Sequence, residues 1–281
     1  MAGVPFSTHW WAIHSFGSYF WRAQTVYDVH SPFLSAWVRA VLEDQRHYYI
    51  QGDMRMLRAW WRQSSVELPF AKDLGAGSRA GQGRVRKVSE LARWSGVDDF
   101  TGMLLFRTAR FLAPNTILEL GTNLGFSAAY LRAARRQAEF ITIEGQAEVA
   151  HLARESFRRL GLPPPDIYTG TFQATLPQAI NQLGNSIDLF FIDGDHRAAA
   201  TANYLDAIWP HLHQDSVVII GDIHWSAEME AAWQAARTRT GVTLSVDCYH
   251  LGFLFFRTQQ RQVEHFTLIP ARYKPWRMGF F

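Results

Sequence analysis

The chain has 281 residues, enough for one large domain or a domain with an appendage. Its 48% hydrophobic and 19% charged content excludes a disordered chain, and 28 basic against 25 acidic side chains exclude the strong field of a polyanion binder. Cys248 is the single cysteine, which excludes an internal disulfide framework and a cysteine-based zinc cluster. The N-terminus lacks a charged segment leading into a secretory apolar core, and no run of about 18 apolar residues follows, so the expectation is a soluble cytoplasmic protein without a transmembrane segment.

Residues 1 to about 70 are rich in aromatics, with Phe16, Tyr19, Phe20 and Ala23 on one helical face. Ser31-Pro32 reads as an N-cap and first helical position, opening a helix towards Glu43. A further helix is expected from Asp53 to Arg62. These side chains fit a helical region packed on the main core, a substrate lid or a dimer surface; the tryptophan content also admits a membrane-interface anchor, against which the lysines and arginines do not form one polar face. The stretch Lys72-Asp73-Leu74-Gly75-Ala76-Gly77-Ser78-Arg79-Ala80-Gly81-Gln82-Gly83 imitates a nucleotide loop. Pro69 and Lys72 interrupt its strand and more glycine follows where a helix should start, so the Gly75–Gly83 stretch reads as a linker.

From Val88 the pattern becomes regular. Helices are expected over Val88–Trp94 and Gly102–Leu112, then a buried strand at Ile117–Leu120 and a helix over 124–136. Strands at Phe140–Glu144, Ile167–Thr169, Ile187–Ile192 and Val217–Ile220 alternate with helices at His151–Leu160, up to Leu183, Asp195–Leu212 and Ala227–Arg239. Val242–Val246 and Leu251–Phe256 lie too close for a crossover and should pair as an antiparallel hairpin. The fold class is α/β: a Rossmann-like, doubly wound sheet with right-handed crossovers. The expected division is an N-terminal helical extension with linker (1–87), a main domain (88–258) and a tail (259–281) packing on it.

In such sheets ligands bind beyond the carboxyl ends of the strands. The residues there are Glu119–Gly125, Glu144, Gly170–Phe172, Asp193–His196 and Asp222–His224. The first strand turns through Gly121-Thr122-Asn123-Leu124-Gly125 into a helix, which aims backbone N–H groups and a helix N-terminus at whatever lies above. Asn123 stands where a dinucleotide fingerprint has glycine, and asparagine tolerates the left-handed conformation. Glu144 lies near the spacing at which an acid on the second strand meets a ribose diol, and one carboxylate accepts two hydroxyl hydrogen bonds. Asp193 follows four apolar strand residues, and Asp222 ends the next strand at equivalent height. Strands about 4.8 Å apart would let the pair share a divalent cation.

The pattern E-x-G-x-N-x-G resembles motif I of the class I S-adenosylmethionine-dependent methyltransferases. The resemblance implies seven strands with the last inserted antiparallel, and S-adenosylmethionine as cofactor. It implies that Glu119, Gly121, Thr122, Asn123, Gly125 and Ser127 hold the methionine end, Glu144 the ribose, and Gly170, Thr171 and Phe172 the adenine, with Asp193 close by. The acid pair resembles metal-assisted small-molecule O-methyltransferases, of the catechol and sugar type. That implies Mg²⁺ on Asp193 and Asp222, a small-molecule hydroxyl acceptor, and Asp195 or His196 as base. Those families place Asn or Asp after the fifth-strand acid, where this chain has Ile223, so His224 or His196 enters as a substitute ligand. A metal-free, His/Asp-assisted transfer stays open beside it. So do a nucleic-acid methyltransferase, disfavoured by the missing Asn-Pro-Pro-aromatic motif and basic face, and a non-catalytic cofactor-binding protein. A homodimer is compatible with these features. His30-Ser31-Pro32-Phe33 and Asp222-Ile223-His224-Trp225-Ser226 resemble a bacterial subgroup of methyltransferase-like proteins, which implies no particular acceptor.

Overall fold

A computed structural model describes residues 6–69, 85–94, 96–259 and 262–277. The Gly75–Gly83 stretch lies outside the described residues. The N-terminal third is helical: α1 (Phe6–Arg22), α2 (Pro32–Trp37, running on through a π-helical turn at Val38–Leu42) and α3 (Tyr49–Arg62). Pro32 occupies the first turn of α2 behind Ser31, where its missing N–H costs nothing. A short antiparallel pair follows, β1 (Glu67–Pro69) with β2 (Val85–Lys87), then α4 (Val88–Trp94) and α5 (Asp99–Leu112). Asp98 caps α5, its carboxylate accepting from the Thr101 N–H at 2.7 Å.

The alternating part runs β3 (Thr116–Leu120), α6 (Phe126–Ala134), β4 (Glu139–Glu144), α7 (Ala147–Leu160), β5 (Asp166–Thr169), α8 (Phe172–Gln182), β6 (Leu189–Ile192), α9 (Ala198–Ile208), β7 (Val217–Gly221) and α10 (Ala227–Arg237). It closes with β8 (Leu244–Asp247), β9 (Leu251–Phe255) and β10 (Glu264–Thr267). The sheet order is β5-β4-β3-β6-β7-β9-β8-β10. β9 is antiparallel to both neighbours, and the other pairings are parallel. The antiparallel insertion agrees with the sequence expectation. The eighth strand does not follow from it: Glu264-His265-Phe266-Thr267 carries one large apolar side chain, so an edge strand there leaves little periodicity to read. The helix expected from Asp195 starts instead at Ala198, because Asp195 has φ +54° and Arg197 is the cap.

Alternate strand residues feed two cores, as the period of two requires. Ile117, Phe191, Ile219 and Phe253 join one core with α2, α3, α5 and α6. Leu118, Phe190, Val218 and Leu254 join the other with α8, α9 and α10. The N-terminal helices thus share the sheet's own core. Trp37 is fully buried, edge-on to Phe253 at 5.0 Å and to Phe255 at 6.1 Å. The tail crosses α1: Tyr19 donates its hydroxyl to the Leu268 carbonyl, and Lys274 Nζ donates to the carbonyls of Trp21 at 3.2 Å and Ala23 at 2.7 Å. Trp37→Ala, by leaving a cavity between α2 and the sheet, should cost about 3–5 kcal/mol, read as a lowered urea midpoint at unchanged slope.

Candidate active site

The upper rim of the sheet is set by one close approach. Gly121 has φ +102°, and a Cβ there would stand 2.4 Å from the Asp193 carbonyl oxygen. Only glycine satisfies both conditions. The turn is further clamped to β4, with the Gly121 N–H donating to the Ile143 carbonyl at 3.0 Å. Asn123 at φ +48° and Gly125 at φ +79° complete a run of left-handed positions, as asparagine in the second-glycine place foreshadowed.

Above the rim lies a cavity of about 620 Å³, within the range of small-molecule and cofactor sites. Gly121, Asn123, Glu144, Gly170, Thr171, Phe172, Asp193, Asp195, His196 and Asp222 all line it. Three of the four strand-end acids therefore converge. Glu144 is pinned by two backbone donors, Asn123 N–H at 2.8 Å and Gln146 N–H at 3.1 Å, so the turn after β3 and the end of β4 hold each other. Burial raises the Glu144 carboxyl pKa, opposed by those backbone hydrogen bonds and by the charge of Arg86. Burial also raises Asp193, reinforced by the like charge of Asp222 and opposed by His196.

The fourth acid does not converge. Glu119 is fully buried in β3 and is absent from the cavity lining. One of its oxygens accepts from the Thr142 hydroxyl at 2.6 Å, and Ser127 is its other polar neighbour. The Thr122 hydroxyl points the same way, 2.7 Å from that of Thr142. Depth explains this: Glu119 pairs with Thr142, two residues short of Glu144, and so lies below the rim. Ser127 and Thr122 border a second, much smaller cavity beside the turn. Gly125 stands over Phe157 and Ala153 of α7 and is absent from both linings.

The roles open to the other polar residues are narrowed by their partners. Asp195 is held by Arg197, whose guanidinium approaches to 2.6 Å, and by the Tyr204 hydroxyl at 3.1 Å. A carboxylate so engaged is a poor proton acceptor, which argues against Asp195 as base. Thr171 spends its hydroxyl oxygen on capping α8. His224 leaves the site altogether. It is buried, with Nε2 3.0 Å from Asp247 and its ring stacked on Tyr249 at 5.2 Å, so it is no metal ligand here. Ile223 is a core residue. The group that does assemble is Asp193, His196 and Asp222, each offering one ligand atom within 4.8 Å of the others. His196 Nε2 stands 3.7 Å from Asp222 Oδ2.

Sequence reasoning missed much of the cavity wall. Trp94, Asp98 and Thr101 come from helices before β3, where no strand end marks them. Trp225 lies three residues past Asp222, and His250 lies in the turn between β8 and β9. The Asp222 N–H donates to the His250 carbonyl at 2.7 Å, which locks that rim.

Residues 118–223 match a family model described as a methyltransferase domain. No curated protein matches the sequence. Solved structures similar in fold include cofactor-bound Rv0187 from MTB, at 18% identity and TM-score 0.54 over 82% of this chain and 99% of that one. An O-methyltransferase from Bacillus cereus in complex with SAH matches at 16% identity and TM-score 0.53 over 79% and 97%. The O-methyltransferase TomG from Streptomyces achromogenes, in complex with SAM, matches at 16% and 0.53 over 79% and 94%. Residues 118–223 thus carry the methyltransferase-domain match, and the chain shares its fold with these cofactor-bound structures.

The buried strand acid has a measurable consequence. Burial lifts Glu119 from an ordinary 4.5 to about 8, against hydrogen bonds from Ser127 and Thr142. Between those values the folded chain keeps a proton that the unfolded chain releases, so stability falls as pH rises through that window and levels off above it. Glu119→Gln should abolish that fall. Wild type minus variant, followed by thermal melting from acid to alkaline pH, should decline with a limiting slope of about 1.4 kcal/mol per pH unit.

Proposed function

We propose that this protein transfers a methyl group from S-adenosylmethionine to a hydroxyl of a small molecule. The observation that carries the reading is the meeting, in one cavity, of the glycine turn with Glu144 and the Asp193–His196–Asp222 group. The likeness in fold to two O-methyltransferases supports it.

The residues fit the cofactor. The left-handed turn leaves room for close backbone approach, and Glu144 is fixed as an acceptor for ribose hydroxyls. Asp98, Glu144, Asp193, Asp195 and Asp222 outnumber Arg86 and Arg197 in the lining, which suits a cationic ligand. Phe172, edge-on to Tyr204 at 5.6 Å, offers a ring to a purine. When bound, S-adenosylmethionine supplies an electrophilic methyl on a sulfonium sulfur. The chain's own work is then to orient the acceptor hydroxyl and take its proton. His196 Nε2 is the base, and Asp222 beside it stabilises the imidazolium that results. Trp94 and Trp225 in the cavity wall shield the reacting groups from water.

Two carboxylates and an imidazole also fit a divalent ion, and a borderline ion such as Mn²⁺ better than Mg²⁺. Asp193, Asp222 and His196 would hold it, and it would supply Lewis acidity to the acceptor hydroxyl. The 3.7 Å His196–Asp222 approach equally serves a metal-free transfer, so metal use is the point to test.

Calorimetry with S-adenosylmethionine, followed by a tritiated-methyl screen against phenols, sugars and lipid hydroxyls, tests the reading; failure to bind the cofactor would end it. Glu144→Ala should weaken cofactor binding about tenfold or more and lower the melting temperature, because the Asn123 and Gln146 N–H groups lose their acceptor, whereas Glu144→Gln should keep the fold and still weaken binding. Asp193→Ala should keep the fold and lower turnover by about 10²–10⁴-fold. Stripping with EDTA decides the metal. Activity lost and restored by Mn²⁺ supports the ion, and unchanged activity supports the His196–Asp222 pair alone.

A further inference from the structure

Helix α1 presents an apolar ridge to solvent. Its inner side is accounted for: Ser15 and Tyr19 are buried, and Phe16 and Tyr19 pack on Tyr249 at 5.1 and 5.2 Å. Trp10, Ile13, Gly17 and Trp21 recur at three- and four-residue steps and so share the outer face. Trp10 is 63%, Ile13 66% and Trp21 85% exposed. A Cβ at Gly17 would meet nothing within 4 Å. Trp276, also 63% exposed, stands at the end of the ridge, 6.4 Å from Phe20. With roughly 150–250 Å² per large aromatic side chain, the bare parts of these three tryptophans reach on the order of 400 Å². That is the size of the largest apolar patch on an ordinary monomer, which is often functional, so side-chain type and charge must say what it serves.

Side-chain type and charge decide the partner. The side chains are tryptophans rather than leucines, the type enriched at the boundary between headgroups and acyl chains. The 17-residue helix contains no Asp or Glu and ends in exposed Arg22, whose Nε donates to the Ser18 carbonyl at 3.3 Å. Arg237 lies near enough to Arg22 to feel its charge. Among the described residues no helix is long and apolar enough to cross a membrane, so contact with a bilayer would be made by lying on it.

We propose that α1 docks the protein on anionic phospholipid membranes, lying in the plane of the interface with Trp10, Ile13 and Trp21 inserted and Arg22 against lipid phosphates. This holds independently of the acceptor and of metal use. The test is co-sedimentation of the full chain with vesicles of phosphatidylcholine alone and of phosphatidylcholine mixed with phosphatidylglycerol. Wild type should bind the mixed vesicles and release with salt, and the double variant Trp10→Ser/Trp21→Ser should bind at least about tenfold more weakly. Because both side chains are exposed, the variant should keep the wild-type melting temperature, and Trp10→Phe/Trp21→Phe should retain most of the binding. Equal sedimentation of wild type and the serine variant, or none by wild type, overturns the proposal. So does a wild type that is dimeric without lipid while the serine variant is monomeric, which would make a second copy the occupant.

Discussion

The contact between Gly121 and the Asp193 backbone is the constraint on which the site depends. A strand that ends in an ordinary turn would leave its neighbour's last residue several ångströms away. Here the absence of a side chain at 121, with φ +102°, lets the turn after β3 lie against the end of β6. The glycine loop and Asp193 are thereby brought to one cavity rather than two. The Asn123 N–H bond to Glu144 does the same towards β4. Gly221 repeats the device on the far side: a Cβ there would be 2.7 Å from a carboxylate oxygen of Asp193. Small residues along the rim let acids from separate strands approach one another.

Burying these carboxylates has an electrostatic cost, visible in the upward shift that burial causes at Glu144 and in that at Asp193, where the like charge of Asp222 adds to burial. A cation relieves such a cost, whether a sulfonium, a metal ion or a protonated imidazole. The proposed reaction uses cations of these kinds, so the cavity's stored repulsion and its proposed ligands are complementary. Glu119 differs in kind. It has no part in the cavity, and its elevated pKa follows from being enclosed within β3, with Thr142 and Ser127 as its polar neighbours.

The N-terminal helices do more than cover the sheet. Trp61 donates to the Ser156 hydroxyl at 2.8 Å, and Ser156 donates to the Leu124 carbonyl at 2.7 Å, so α3 is linked through α7 to the glycine turn. On the other side Trp11 donates to the His224 carbonyl at 3.1 Å, two residues beyond Asp222. Both ends of the rim are therefore braced by the segment preceding the alternating fold, and α1 joins its solvent ridge to the loop that carries Asp222.

The sequence by itself determined the order of strands and helices from Val88 to Phe255, because buried parallel strands are short apolar runs and their helices repeat every three or four residues. It also determined which residues stand at the strand ends, since chain position alone places Glu144, Asp193 and Asp222 there. What it could not determine is which way an individual side chain turns. His224 and His196 look alike in sequence; only packing sends the first to Asp247 and the second to Asp222. Glu119 and Glu144 share a phase of the strand pattern, and only two residues of depth below the rim bury the first and leave the second at the cavity. Trp94 and the edge strand at Glu264–Thr267 were illegible for a related reason. Their environment is supplied by residues far away in the chain, and no local pattern records it.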